Sequence, residues 1–146
     1  MSDVSHRRYF SVAEANAMIG DLERTFARML QMKAQVRSAY ARLEEAGHAP
    51  VGDDFDLAPA GAGPEVANDL TTLKMLIDAL KADVEALHDV GCLVKDIDEG
   101  IVDWYASKAG RDVLLCWKLG EKKVAYWHDP DAGFAGRRPI SELLED

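Results

Sequence analysis

The chain has no run of about 18 apolar residues, so it has no segment able to cross a membrane as a helix. Its first residues, MSDVSHRRYF, lack the apolar centre of a secretory signal. Cysteine is scarce. Cys92 and Cys116 stand far apart and form no C-x-x-C pair, which excludes a disulfide framework. Both are expected to be reduced and buried, in a cytoplasmic protein. No run of Lys and Arg forms a basic patch. With 17 Lys+Arg against 26 Asp+Glu, the net charge is −9. That balance repels nucleic acid and anionic lipid, so neither is an expected partner. Catalytic signatures are missing too: there is no G-x-S-x-G elbow, no H-E-x-x-H and no phosphate-cradling glycine loop. No motif repeats along the chain.

What is present is ordinary for a folded protein. The 146 residues are 48% hydrophobic and 29% charged, enough for one domain with a core. Ser11-Val12-Ala13-Glu14 reads as a capping box, with Phe10 placed to staple onto Ala15 or its neighbours. Val12, Ala15, Ile19, Leu22, Phe26, Met29, Val36, Tyr40 and Leu43 then follow a heptad seam whose one gap is Lys33. Gly20 weakens the helix by roughly 1 kcal/mol. The spacing predicts one helix over 11–46, about 50 Å long at ~1.5 Å per residue and closed by Gly47. Leu70, Leu73, Ile77, Leu80, Val84 and Leu87 repeat the seam. They predict a second helix over 68–90, about 30 Å long, capped by Asn68 or Asp69 and ended by Gly91. Residues 47–66 between them, rich in Gly, Ala, Pro and Asp, read as a flexible linker. Asp53, Asp54 and Asp56 lack the partners of an EF-hand loop.

The two helices are expected to pair antiparallel. The length mismatch leaves part of the first helix uncovered, including Leu22 or Val36 depending on register. A second copy of the chain is the simplest cover, which predicts a homodimer through helix one; a fold-back of the linker or sheet is the alternative.

After Gly91 the period switches from 3.5 to 2. Four strands follow over 91–128: CLVKDID, IVDWYA, DVLLCWKL and KVAYWH. Glu99-Gly100, Ala109-Gly110 and Gly120-Glu121 lie in short connections, which implies an antiparallel meander. The class is therefore α+β, a coiled-coil-like helical hairpin and then a small antiparallel sheet. If Glu99-Gly100 is a two-residue loop, Asp96 faces Asp103, putting two carboxylates ~5 Å apart on one sheet face. Such a pair needs water, a cation or an arginine beside it.

The closing segment over 129–146 offers candidates. Asp129-Pro130-Asp131 is turn chemistry, Gly133 and Gly136 permit unusual backbone, and Phe134 between them is expected to anchor the loop on the core. Trp127 leads into this loop. The loop is expected to cross the sheet and set Arg137 or His128 near Asp96 and Asp103, forming a polar pocket. An arginine there would make a clasp. Asp96, Asp103 and His128, with Asp129 and Asp131 nearby, also have the ligand types for Mg²⁺, Mn²⁺ or Zn²⁺. Cys116, mid-strand in an apolar run, reads as inert packing.

RYFSVAEANAMIGDLE, GCLVKDIDEGIVDWYA and VLLCWKLGEKKVAYWHDPDAGFAGRRPI together resemble a bacterial family, domain of unknown function 2203. The resemblance covers nearly the whole chain, with 47–66 as an insertion. It implies that Asp96, Gly100, Asp103, Cys116, Trp117, Gly120, Glu121, Trp127, His128, Gly133, Phe134, Gly136 and Arg137 match the family pattern. Asp131 stands where that pattern tends to have glutamate, which weakens a ligand role there. The resemblance brings no activity with it. The sequence thus points to a non-enzymatic, self-associating interaction module with a polar pocket on its sheet, able to bind a protein partner. The alternative is a small metal-binding protein or metal-dependent hydrolase using Asp96, Asp103 and His128.

Overall fold

The computed structural model describes residues 7–52 and 55–143. The start of the MSDVSHRRYF stretch, Asp53 and Asp54 of the linker, and the last three residues of the C-terminal segment lie outside the described residues. The elements are α1 (Val12–Asn16), α2 (Ile19–Glu45), α3 (Pro64–Asp89), β1 (Leu93–Asp96), β2 (Ile101–Lys108), β3 (Arg111–Lys118), β4 (Tyr126–His128), a 3₁₀ turn at Phe134–Gly136, β5 (Arg138–Pro139) and α4 (Ile140–Leu143). The class is α+β. No helix among the described residues is long and apolar enough to cross a membrane. The chain forms two compact units: residues up to Phe26 together with those from Glu85 onward, and Ala27–Val84.

The first helix begins as its capping box requires. Glu14 N–H donates to Ser11 Oγ at 3.0 Å and Ser11 N–H donates to Glu14 Oε1 at 2.8 Å. Phe10 is buried. It packs on Gly91, where an added Cβ would stand 2.5 Å from its ring. Nor is the helix one piece. It breaks at Ala17–Met18, where Met18 N–H bonds back only three residues to Ala15. Side chains beside the break make long-range contacts: Asn16 Oδ1 accepts the Val124 amide at 2.7 Å, and Met18 Sδ lies 3.7 Å from Cys92 Sγ.

In the second unit α2 and α3 lie antiparallel. Ala39, Leu43, Leu70 and Leu73 form the buried cluster, with Val36 and Ile77 packed against it. Arg28 grips Asp83 and, two heptads on, Arg42 grips Asp69, the partners running in opposite senses. α3 begins four residues before the expected start, at Pro64 in the first helical position, where its missing N–H costs nothing. It is 26 residues long against 27 for α2. α2 and α3 are thus nearly equal in length, and Leu22, Phe26, Met29 and Leu43 are all buried within one chain.

The sheet has five antiparallel strands in the order β1-β2-β3-β4-β5, one more than the apolar runs suggested. The extra strand, β5, is two residues beside β4. Val102, Trp104 and Ala106 of β2, Val113, Leu115 and Trp117 of β3, and Trp127 of β4 share one face and are all buried. Ala15, Ile19, Leu22 and Phe26 supply further core of this unit, Phe26 at 6.3 Å from Trp117. The β2–β3 turn, Ala109-Gly110, has both residues at positive φ (51° and 80°), the geometry of a two-residue hairpin loop.

The first hairpin departs from the simple loop. A bulge between Val94 and Asp96 pairs Leu93 with Asp103 and Asp96 with Ile101. Asp96 thus does not face Asp103. Its Oδ1 accepts the Glu99 amide at 3.0 Å, so the side chain closes the turn.

Candidate functional site

The β2–β3–β4 registers decide which polar groups meet. Asp103 pairs with Cys116, Cys116 with Tyr126, and Leu114 with His128. Asp103, Cys116 and His128 therefore lie on the sheet face opposite the tryptophans. All three are buried, at 2%, 0% and 2% exposure. Among the described residues, Asp103 and His128 are the two buried polar or charged side chains in an otherwise apolar interior.

His128 uses both ring nitrogens. Nε2 lies 3.0 Å from Asp103 Oδ2 and Nδ1 lies 2.7 Å from the Asp129 carbonyl. Two acceptors favour a proton on each nitrogen. The Asp103 hydrogen bond raises the His128 pKa, burial opposes it, and the positive charge of Lys95 also acts against it. Asp103 Oδ1 is buried and accepts no hydrogen bond. Burial, then the Asp103 carboxylate, pushes the Cys116 thiol up to about 12, with Arg137 acting in the other direction. One ligand atom from each of Asp103, Cys116 and His128 lies within 4.8 Å of the others.

Above this cluster opens a cavity of about 300 Å³ lined by Lys95, Asp96, Ile101, Asp103, Leu114, His128, Pro130, Gly133 and Phe134. Of the cluster, Asp103 and His128 reach its wall and Cys116 does not.

The structure brings together His128 and Asp103, as expected, and sets Asp96 at the cavity wall. Arg137 does not line the cavity but adjoins the cluster at Cys116, whose pKa it lowers. Its guanidinium bonds both oxygens of Glu121, at 2.9 and 3.2 Å, and lies 4.0 Å from the Phe134 ring and 4.2 Å from the Tyr126 ring. Glu121 accepts this arginine because it is already oriented by the Lys118 amide at 2.8 Å. Phe134 is no core anchor. It is 38% exposed and lies against Arg137 and the cavity. Gly133, at φ 66 and ψ −170, does hold a conformation reserved for glycine, and Gly136 packs where an added Cβ would stand 2.7 Å from Ala132. Trp127 serves the core face and donates from Nε1 to the Pro139 carbonyl at 3.1 Å. Asp129 pairs with Arg111 and lies near Arg138, and Asp131 is exposed outside the cavity lining.

Residues 8–140 match the family described as an uncharacterized conserved protein, domain of unknown function 2203. The chain belongs to this family. No curated protein and no solved structure matches the chain. The match spans both units and every residue of the Asp103, Cys116 and His128 cluster. It assigns the family no chemistry.

Proposed function

We propose that this protein binds a divalent transition metal, zinc above all, through Asp103, Cys116 and His128. The observation that carries the reading is three buried ligand atoms within 4.8 Å of one another, with Asp103 Oδ1 left without a hydrogen-bond partner. Buried carboxylates without full hydrogen bonding are costly, and an ion removes that cost. The donor set suits the ion. Thiolate, imidazole and carboxylate together select zinc over magnesium or calcium, which prefer oxygen alone. The Nδ1 contact with the Asp129 carbonyl is the outer hydrogen bond that a histidine ligating through Nε2 ordinarily makes. Asp96, an earlier candidate, is replaced by Cys116, because its oxygen is engaged by the Glu99 amide.

The metal reading is favoured over self-association because the seam residues Leu22, Phe26, Met29 and Leu43 are already buried in their own chain. The test is to strip the full chain with EDTA and titrate it with zinc and with cobalt(II). Stoichiometric uptake and a thiolate-to-cobalt charge-transfer band are expected, both lost in Cys116→Ser and Asp103→Asn, with circular dichroism confirming that the variants fold. Folded wild-type protein that takes up neither metal would sink the proposal.

A further inference from the structure

We propose that Arg137 is the positioning residue of the metal site, donating a hydrogen bond to the Cys116 sulfur so that it meets the ion as a thiolate of fixed orientation. The inference rests on the metal reading above and adds what holds its one soft ligand. The sheet register sets the geometry. Cys116 pairs with Tyr126 across β3 and β4, and the Arg137 guanidinium lies 4.2 Å from the Tyr126 ring. Phe134 lies 4.0 Å from the same guanidinium. The arginine side chain is only 16% exposed. A guanidinium so enclosed draws on protein acceptors for its N–H groups. Glu121 takes its two bonds from Nη1 alone. Nη2 and Nε remain, and the sulfur is the acceptor beside them.

A stiff turn holds the arginine in place. Trp117 Nε1 donates to the Glu121 carbonyl at 2.8 Å, and the Lys118 amide donates to Glu121 Oε1 at 2.8 Å. Trp117 and Lys118 directly follow Cys116 in β3, so the ligand and the arm that orients its arginine share one strand. Clasping the loop requires Nη1 only; the spare donors serve the sulfur. Burial and the Asp103 carboxylate hold the Cys116 thiol protonated, and Arg137 acts against both. A metal-bound thiolate keeps lone pairs that a charged donor can bond. Outer groups of this kind orient a ligand and set how strongly it donates to the ion.

The experiment uses the cobalt(II)-loaded full chain. Arg137→Met keeps an apolar stem against Tyr126 and Phe134 and removes the donor. A sulfur without its hydrogen bond gives up an electron more readily, so the thiolate-to-cobalt band should move to longer wavelength. Cobalt affinity, read by competition with a chelator, should fall about tenfold to a hundredfold. Arg137→Lys, which restores a cation without the fork, should recover part of that affinity. Arg138→Gln, the same loss of charge one residue on, should leave the band in place. A folded Arg137→Met protein with the wild-type band and affinity would reduce Arg137 to a loop clasp and overturn the inference, leaving the metal reading standing. An equal band shift in Arg138→Gln would overturn it too, since charge alone would then suffice. Should Arg137→Met not fold, Arg137→Gln, whose amide can still bond Glu121, carries the same test. Absence of any cobalt–thiolate band in the wild-type chain would remove the metal and this inference together.

Discussion

Ala109 holds φ 51 ahead of Gly110 at φ 80, the one left-handed residue other than glycine among those described. A side chain there costs about 1 kcal/mol that glycine or asparagine avoids. Ala109→Asn is expected to stabilise the protein by up to about 1 kcal/mol, read from urea midpoints at unchanged slope. His128 sets a pH dependence of defined sign. In metal-free protein, donation to Asp103 raises its pKa. The stability this supplies is complete below the unfolded value of about 6.5 and is lost as pH rises through the folded value. Urea midpoints of stripped protein should therefore fall on going alkaline from about pH 6, and His128→Gln should flatten that slope. An equal slope in the variant would show that the imidazole carries no such linkage. Cys116 adds a second signature. Its thiol, pushed up to about 12, is protonated at neutral pH. Zinc uptake as thiolate must release that proton, which calorimetry in buffers of differing ionisation enthalpy counts.

At the scale of elements, much of the fold is legible in sequence. The Ser11–Glu14 box, the two heptad seams and the period change after Gly91 each mark a real element boundary or type. Cys116, which reads from sequence as inert packing, carries a signal that places it beside Asp103. Taking Ala109-Gly110 as a two-residue turn pairs Lys108 with Arg111 and, counting back, Asp103 with Cys116. The same count applied to Glu99-Gly100 fails, because the bulge before Asp96 and the Asp96–Glu99 hydrogen bond are side-chain effects that alternation does not encode. The break at Ala17–Met18 lies beside the contact of Asn16 with Val124, residues more than a hundred positions apart that no local pattern relates. Arg137 meets Glu121 for a similar reason, through a loop path set by Gly133. In the hairpin, packing outweighs charge. Leu73→Ala is expected to cost about 2–5 kcal/mol. Asp69→Asn, which only loosens the partly exposed grip of Arg42, should cost under about 1 kcal/mol in the same denaturation assay.

For the whole molecule, the proposed metal binding would be linked to folding. Zinc at about a hundred times its dissociation constant would stabilise the folded chain by about 2.7 kcal/mol. For a chain of this size that raises Tm by roughly 5–10 °C, a shift that scanning calorimetry should find in wild type and not in Asp103→Asn. The sheet's borders carry a different consequence. β5 is two residues long, and one of them, Pro139, has no amide hydrogen to offer. Beside it Arg138 is tied to Glu142 at 3.0 Å. At the opposite border β1 is four residues, bulged, and ends in the exposed pair Lys95 and Asp96. Neither margin presents a flat row of free donors and acceptors on which another strand could dock. The Trp- and Leu-rich strands in the middle, among the most fibril-prone stretches of the chain by composition, are thereby shielded from growing outward into an aggregate.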